Sequence, residues 1–116
     1  MGRLTTHVLD TASGRPAAGM TVELYALAGV RKLVKTATTN ADGRLDQPLL
    51  EGAALAAGAY ELVFWVAEYF RAAGAKSAGA QFLDRVPVRF SVADPAANTH
   101  VPLLVSPYGY TAYRGS

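Results

Sequence analysis

The sequence predicts an all-β fold: an antiparallel β-sandwich of seven or eight short strands with one short helix, as a single domain over residues 1–116. Three observations predict it. Apolar and polar residues alternate with a period of two along most of the chain, the pattern of strands with one face buried. Clusters of Gly, Pro, Asn, Asp and Ser break that alternation at short intervals, as turns between strands do. Only one stretch, Ala67 to Ala73, reads as a helix, and Gly74 follows it in the position of a C-terminal cap. A chain of 116 residues buries roughly two-thirds of the surface its unfolded form exposes, enough for a core without staples.

Taken in order, Leu4, Thr6 and Val8 alternate with Thr5, His7 and Leu9 to form a first strand with His7 on a defined face. Asp10 to Gly19 is a turn-rich connection. Met20, Val22, Leu24 and Ala26 then face one way, and Thr21, Glu23 and Tyr25 the other, as a second strand. Leu33 to Thr39 is a third. Asn40-Ala41-Asp42-Gly43 is the strongest hairpin signal, because glycine supplies a positive φ and Asn or Asp tolerates one. Arg44 to Asp46 is a short extended piece ended before Pro48. Leu49 to Ala57, rich in alanine but bracketed by Gly52 and Gly58, reads as a compact loop with at most one helical turn.

Tyr60 to Val66 is almost continuously apolar, which fits a central strand buried on both faces. Val86, Val88, Phe90 and Val92 alternate with Arg85, Pro87, Arg89 and Ser91. The proline lacks a donor, so this strand lies at a sheet edge or turns the missing donor outward. Asp94 to Asn98 turns the chain into a strand with Val101, Leu103 and Val105 toward the core and His100, Leu104 and Ser106 opposite. A tight turn and a further strand then run to Ser116.

Composition excludes several functions. The chain has no cysteine, so disulfides, thiolate metal sites and cysteine nucleophiles drop out together. Eleven Lys+Arg against nine Asp+Glu leave a formal charge of +2. The charges are scattered, and aromatics do not interleave with cations, so no nucleic-acid partner is expected. No apolar run approaches membrane-spanning length, so no membrane partner is expected. The first seven residues lack a signal-peptide core, which makes the cytoplasm the expected location. Gly2 stands where a myristoylated glycine would, but basic Arg3 and an immediate strand pattern favour an ordinary start.

Only His7 and His100 titrate close to neutral pH. A strand histidine is commonly structural, and Arg44 alone would pass for a solvated turn charge. No Gly-x-Ser-x-Gly elbow supports a serine nucleophile, and a histidine pair has no obvious third and fourth metal ligands. Tyr108, Tyr110 and Tyr113 are the usual sort of packing aromatics. Composition and spacing alone reach a β-sandwich with a candidate histidine site and no substrate.

The residues also resemble a known family over nearly the whole chain. Thr6-His7-Val8-Leu9-Asp10-Thr11, Thr39-Asn40-Ala41-Asp42-Gly43-Arg44, Gly58 to Phe64 followed by Tyr69-Phe70, His100 to Tyr110, and the closing Tyr113-Arg114-Gly115-Ser116 resemble the transthyretin-like 5-hydroxyisourate hydrolases. The resemblance implies two four-stranded sheets and a homotetramer built as a dimer of dimers. It places active sites in the channel between dimers, with His7, Arg44 and His100 catalytic, and His7, Arg44, Tyr113 and Ser116 holding the substrate. It implies 5-hydroxyisourate as substrate, no cofactor and no metal. Asn98 stands where the family often has a second histidine, two residues before His100. The competing reading is a carrier on the same sandwich that binds a small aromatic ligand in that channel without turning it over.

The chemistry of these residue types suits hydrolysis. A neutral imidazole can deprotonate water near neutral pH, which is worth roughly 10²–10⁴-fold. A guanidinium nearby disfavours a second positive charge and keeps that imidazole neutral. The same planar fork pairs with carbonyl oxygens and stabilises a developing oxyanion.

Overall fold

The computed structural model describes residues 2–74 and 82–116. Its elements are β1 (Arg3–Asp10), β2 (Arg15–Pro16), β3 (Thr21–Ala26), β4 (Lys32–Thr38), β5 (Leu50–Glu51), β6 (Gly58–Trp65), α1 (Val66–Ala72), β7 (Arg85–Val92), β8 (Thr99–Val105) and β9 (Tyr110–Ala112), with a single 3-10 turn at Gly52–Ala54. Two sheets form. One runs β4-β3-β6-β7; the other runs β2-β1-β8-β9, with β5 also pairing β1. Because β2 and β5 share the same edge of β1, the second sheet is four positions wide.

Alternation places the core as expected. Leu4, Val8, Leu103 and Val105 from one sheet are fully buried against Val22, Leu24, Leu62 and Phe64 from the other. Each such side chain stabilises the sandwich by about 1.5–3 kcal/mol before entropy is subtracted. The apolar run in β6 is buried from Tyr60 through Phe64 and lies between β3 and β7. Pro87 sits in β7, an edge strand, where its missing donor breaks no ladder. The helix begins one residue before the expected span, and Gly74 closes it with φ 75° while donating to the Arg71 carbonyl.

Three details differ from the sequence expectation. Among the described residues six of the seven strand pairings are antiparallel, but β1 and β8 run parallel, because the chain visits the other sheet between them. The Asn40–Gly43 turn is tight, with Gly43 at φ 73°, yet it joins no hairpin. It carries the chain out of the β4 sheet to the edge of β1, where Arg44 bridges His7. The final strand is also shorter than expected. β9 ends at Ala112, and pairing resumes only at Gly115, which bridges His100.

Candidate active site on the outer face of β1 and β8

Parallel pairing of β1 with β8 sets Thr5 beside His100 and His7 beside Pro102. Residues paired across a sheet point to the same side. Thr5, His7 and His100 therefore share the face turned away from the core, and all three are half-buried. The opposite parity is inward: Thr6 is buried, and its hydroxyl donates to the Val101 carbonyl at 2.7 Å. This bond ties the two strands together directly beneath the site.

Arg44 arrives by a separate route. Buried Thr39 donates to the Ala17 carbonyl at 2.6 Å and accepts from the Met20 amide at 2.9 Å, fixing the entry to the turn. The Asn40 carboxamide oxygen accepts from the amides of Asp42 and Arg44, and the Asn40 amide donates to the Arg44 carbonyl at 2.7 Å. The Gly43 carbonyl accepts from the Val8 amide at 2.8 Å. A side chain at position 43 would strike the Val8 carbonyl oxygen, so the turn can approach β1 only with glycine there. The result is an arginine held by its backbone next to His7.

The third component is the segment after β9. The Gly115 amide donates to the His100 carbonyl at 2.8 Å. Gly115 lies so close over the ring that an added Cβ would stand 2.6 Å from Cδ2 of His100. Ser116 follows it, exposed. The structure therefore gathers His7, Arg44, His100 and the Gly115–Ser116 segment around one patch. Tyr113 lines a different cavity of about 480 Å³, bounded by Phe90, Asn98, Val101 and Arg114 among others. Asn98 itself accepts a hydrogen bond from the Arg3 amide at 3.1 Å, a strand-to-strand tie away from the histidines.

Among the described residues, no hydrogen bond or ion pair engages the side chain of His7 or Arg44, while His100 is bonded at Nδ1 to the Thr5 hydroxyl, 2.8 Å away. The His100 pKa is lowered below the ordinary histidine value. Burial is the largest cause, the Arg44 guanidinium the next and His7 the third, with a Thr5 backbone interaction acting in the opposite sense. A half-buried imidazole whose pKa a nearby cation lowers further is neutral at physiological pH. Thr5, Arg44, Leu45 and Gln47 line a depression of about 130 Å³ at this patch. Thr5 and Gln47 escaped the sequence reading, although Thr5 has the same strand parity as His7 and could have been found from it. No three His, Cys, Asp or Glu side chains among the described residues are grouped so as to hold a metal ion, and no described helix is long and apolar enough to cross a membrane.

Two sheets joined face to face, with histidines from β1 and β8 and an arginine from the crossing turn displayed on one outer face, define a transthyretin-like protein with a polar, base-bearing site. The chain belongs to the HIUase/transthyretin family, whose profile matches residues 4–115. The 5-hydroxyisourate hydrolase 2 of Rhizobium meliloti (strain 1021) is 60% identical over 116 residues, covering 99% of this chain and 97% of that one. The crystal structure of an (S)-allantoin synthase superposes with a TM-score of 0.93 at 44% identity. The match covers 99% of this chain and 44% of that one, so this chain spans less than half of that protein. Sea bream transthyretin in complex with thyroxine superposes with a TM-score of 0.86 at 24% identity, over 97% of this chain and 94% of that one, and shares the fold.

Proposed function

We propose that the protein is a 5-hydroxyisourate hydrolase, adding water across a ring amide to open the six-membered ring and yield 2-oxo-4-hydroxy-4-carboxy-5-ureidoimidazoline in urate breakdown. The observation that carries this reading is the convergence of His7, Arg44 and His100 on one face, with the Arg44 and His7 side chains unengaged and His100 held below its ordinary pKa. A carrier of an apolar ligand has no use for a neutral base beside a fixed cation. The high identity to a hydrolase of nearly equal length supports the same choice.

In this mechanism neutral His100 takes a proton from water as the oxygen bonds to the amide carbon. Arg44 donates to the oxyanion that forms. The carbon–nitrogen bond then breaks, and the proton passes from the imidazolium to the departing ring nitrogen. His7, next to Arg44, holds the substrate ring, and Ser116 completes its orientation, while Tyr113 faces the separate 480 Å³ groove. The most direct test couples the protein to urate and urate oxidase and follows decay of the transient 5-hydroxyisourate. Accelerated decay is expected, and decay identical to the enzyme-free reaction would refute the reading.

The same reading makes the working unit a homotetramer, a dimer of dimers. A depression of about 130 Å³ is smaller than the roughly 300–1,000 Å³ of ordinary small-molecule sites, so an opposing sheet face is needed to enclose the ring. Edge strands β7 and β9, bordering the 480 Å³ groove, are free to continue the sheets into a second copy. Light scattering should give four times the 12.2 kDa chain mass; a monomer with full activity would overturn the assembly.

A further inference from the structure

We infer that Thr5 is a positioning residue that fixes the proton of neutral His100 on Nδ1 and leaves the Nε2 lone pair facing the reaction. The inference rests on the hydrolase reading and adds to it which nitrogen acts and what makes it act.

The geometry begins with the parallel register that sets Thr5 beside His100 on the outer face. The Thr5 hydroxyl oxygen lies 2.8 Å from Nδ1, within hydrogen-bond range for either direction of donation. A neutral imidazole carries one N–H, and the partner of one nitrogen decides the role of the other. If Nδ1–H donates to Thr5, Nε2 is a base. If the hydroxyl donates to Nδ1, the proton sits on Nε2 and the ring cannot accept one from water. Nδ1 is engaged by the Thr5 hydroxyl and Nε2 has no partner among the described residues, so a His100 that takes a proton from water requires the first arrangement, with Nδ1–H donating to Thr5.

The remaining edge of the ring is closed as well. Gly115 packs over Cδ2, and a half-turn of the imidazole would exchange Nδ1 with Cδ2 and forfeit the bond to Thr5. Nε2 is the ring nitrogen with no hydrogen-bond partner among the described residues. Thr5 itself has no competing side-chain partner among them, since its only bond is the one to His100. The charged or titratable groups on the segments around the ring are His7 on β1, Arg44 on the crossing turn and Arg114 beside Gly115. The first two disfavour the imidazolium. The Thr5 hydroxyl is the side-chain oxygen bonded to it.

The chain has only two histidines, which makes the experiment simple. Nitrogen-15 spectra of the imidazoles in the resting protein, assigned with a His7→Gln sample, read the tautomer without substrate. His100 should show a protonated Nδ1 and an unprotonated Nε2. Thr5→Val keeps the side-chain shape and removes the oxygen. In that variant the Nε2–H form should appear, kcat should fall about ten-fold, the size of one lost hydrogen bond, and the acid limb of kcat/KM should move to lower pH because the imidazolium has lost an acceptor. Thr5→Ser should restore all three. A wild-type His100 protonated on Nε2, or a Thr5→Val spectrum unchanged from wild type, would overturn the inference. A wild type with the expected tautomer and no hydrolysis would refute the hydrolase reading while leaving the role of Thr5 in place.

Discussion

Replacing Gly115 with alanine adds one methyl group at the most crowded point of the site. The new Cβ would stand 2.6 Å from Cδ2 of His100 and 2.9 Å from Cγ of Pro102, where ordinary contact begins at 3.4 Å. The overlap with the ring is about 0.8 Å. Neither neighbour gives way easily: Pro102 is buried within β8, and the imidazole is tied to Thr5 at 2.8 Å. The collision is relieved either by lifting the 113–116 segment or by displacing the ring. Lifting breaks the 2.8 Å bond from the Gly115 amide to the His100 carbonyl, a loss of about 1 kcal/mol and roughly 4 °C in Tm for a domain of this size. Either movement shifts a reacting group by close to 1 Å, which costs on the order of 10² in turnover. The prediction is therefore a large fall in kcat with a small fall in Tm, measured on the same preparation. Wild-type kcat in Gly115→Ala would refute the placement of this segment over the catalytic ring.

Three further variants test other interactions in the fold. Arg44→Gln removes a charge that lowers the His100 pKa, so the acid limb of kcat/KM should move to higher pH. Arg44→Lys should keep the limb where it is yet recover little kcat, because an ammonium cannot copy the paired donors of a guanidinium; matching pH profiles for Gln and wild type would separate Arg44 from His100. Tyr69 donates to Asp10 Oδ2 at 2.8 Å, and burial followed by this bond raises its pKa to about 12. The native state therefore holds its proton while the unfolded chain releases it from about pH 10. Denaturant titrations should show Tyr69→Phe less stable by roughly 1.5–3 kcal/mol at neutral pH, with a shallower loss of stability between pH 10 and 12.

Much of this arrangement was legible in local patterns. Alternation from Leu4 to Leu9 assigned the face of His7, and the same reasoning around Val101 assigned that of His100. Pro87 announced an edge and Gly74 a helix stop, because each imposes a backbone constraint that no neighbour can override. The Asn40–Gly43 turn was also evident, but not its destination. A turn's residues determine its shape, whereas the strand it delivers the chain to depends on which surface remains to be covered, here the edge of β1. The pairing of β1 with β8 was hidden for the same reason. Thr5 and His100 are 95 positions apart, and nothing local in either strand indicates parallel register. The closeness of Gly115 to His100 came with that register, through the bridge between them. The family resemblance suggested the site's members; strand parity put Thr5 on the same face as His7, but its contact with His100 becomes evident only once β1 and β8 are paired.

Two histidines and an arginine on one face of the sandwich are the groups proposed to perform the hydrolysis. The measurement that bears on it most directly is the rate of 5-hydroxyisourate decay, generated in place and followed by stopped-flow absorbance, with wild type, His7→Ala and His100→Ala at equal concentration and matched Tm. Both positions are half-buried on the outer face, so the folds should survive. Wild type should accelerate decay strongly, and His100→Ala should lose about 10²–10⁴ of that acceleration, with His7→Ala also strongly impaired. A His100→Ala protein that consumes the substrate at the wild-type rate would contradict the account.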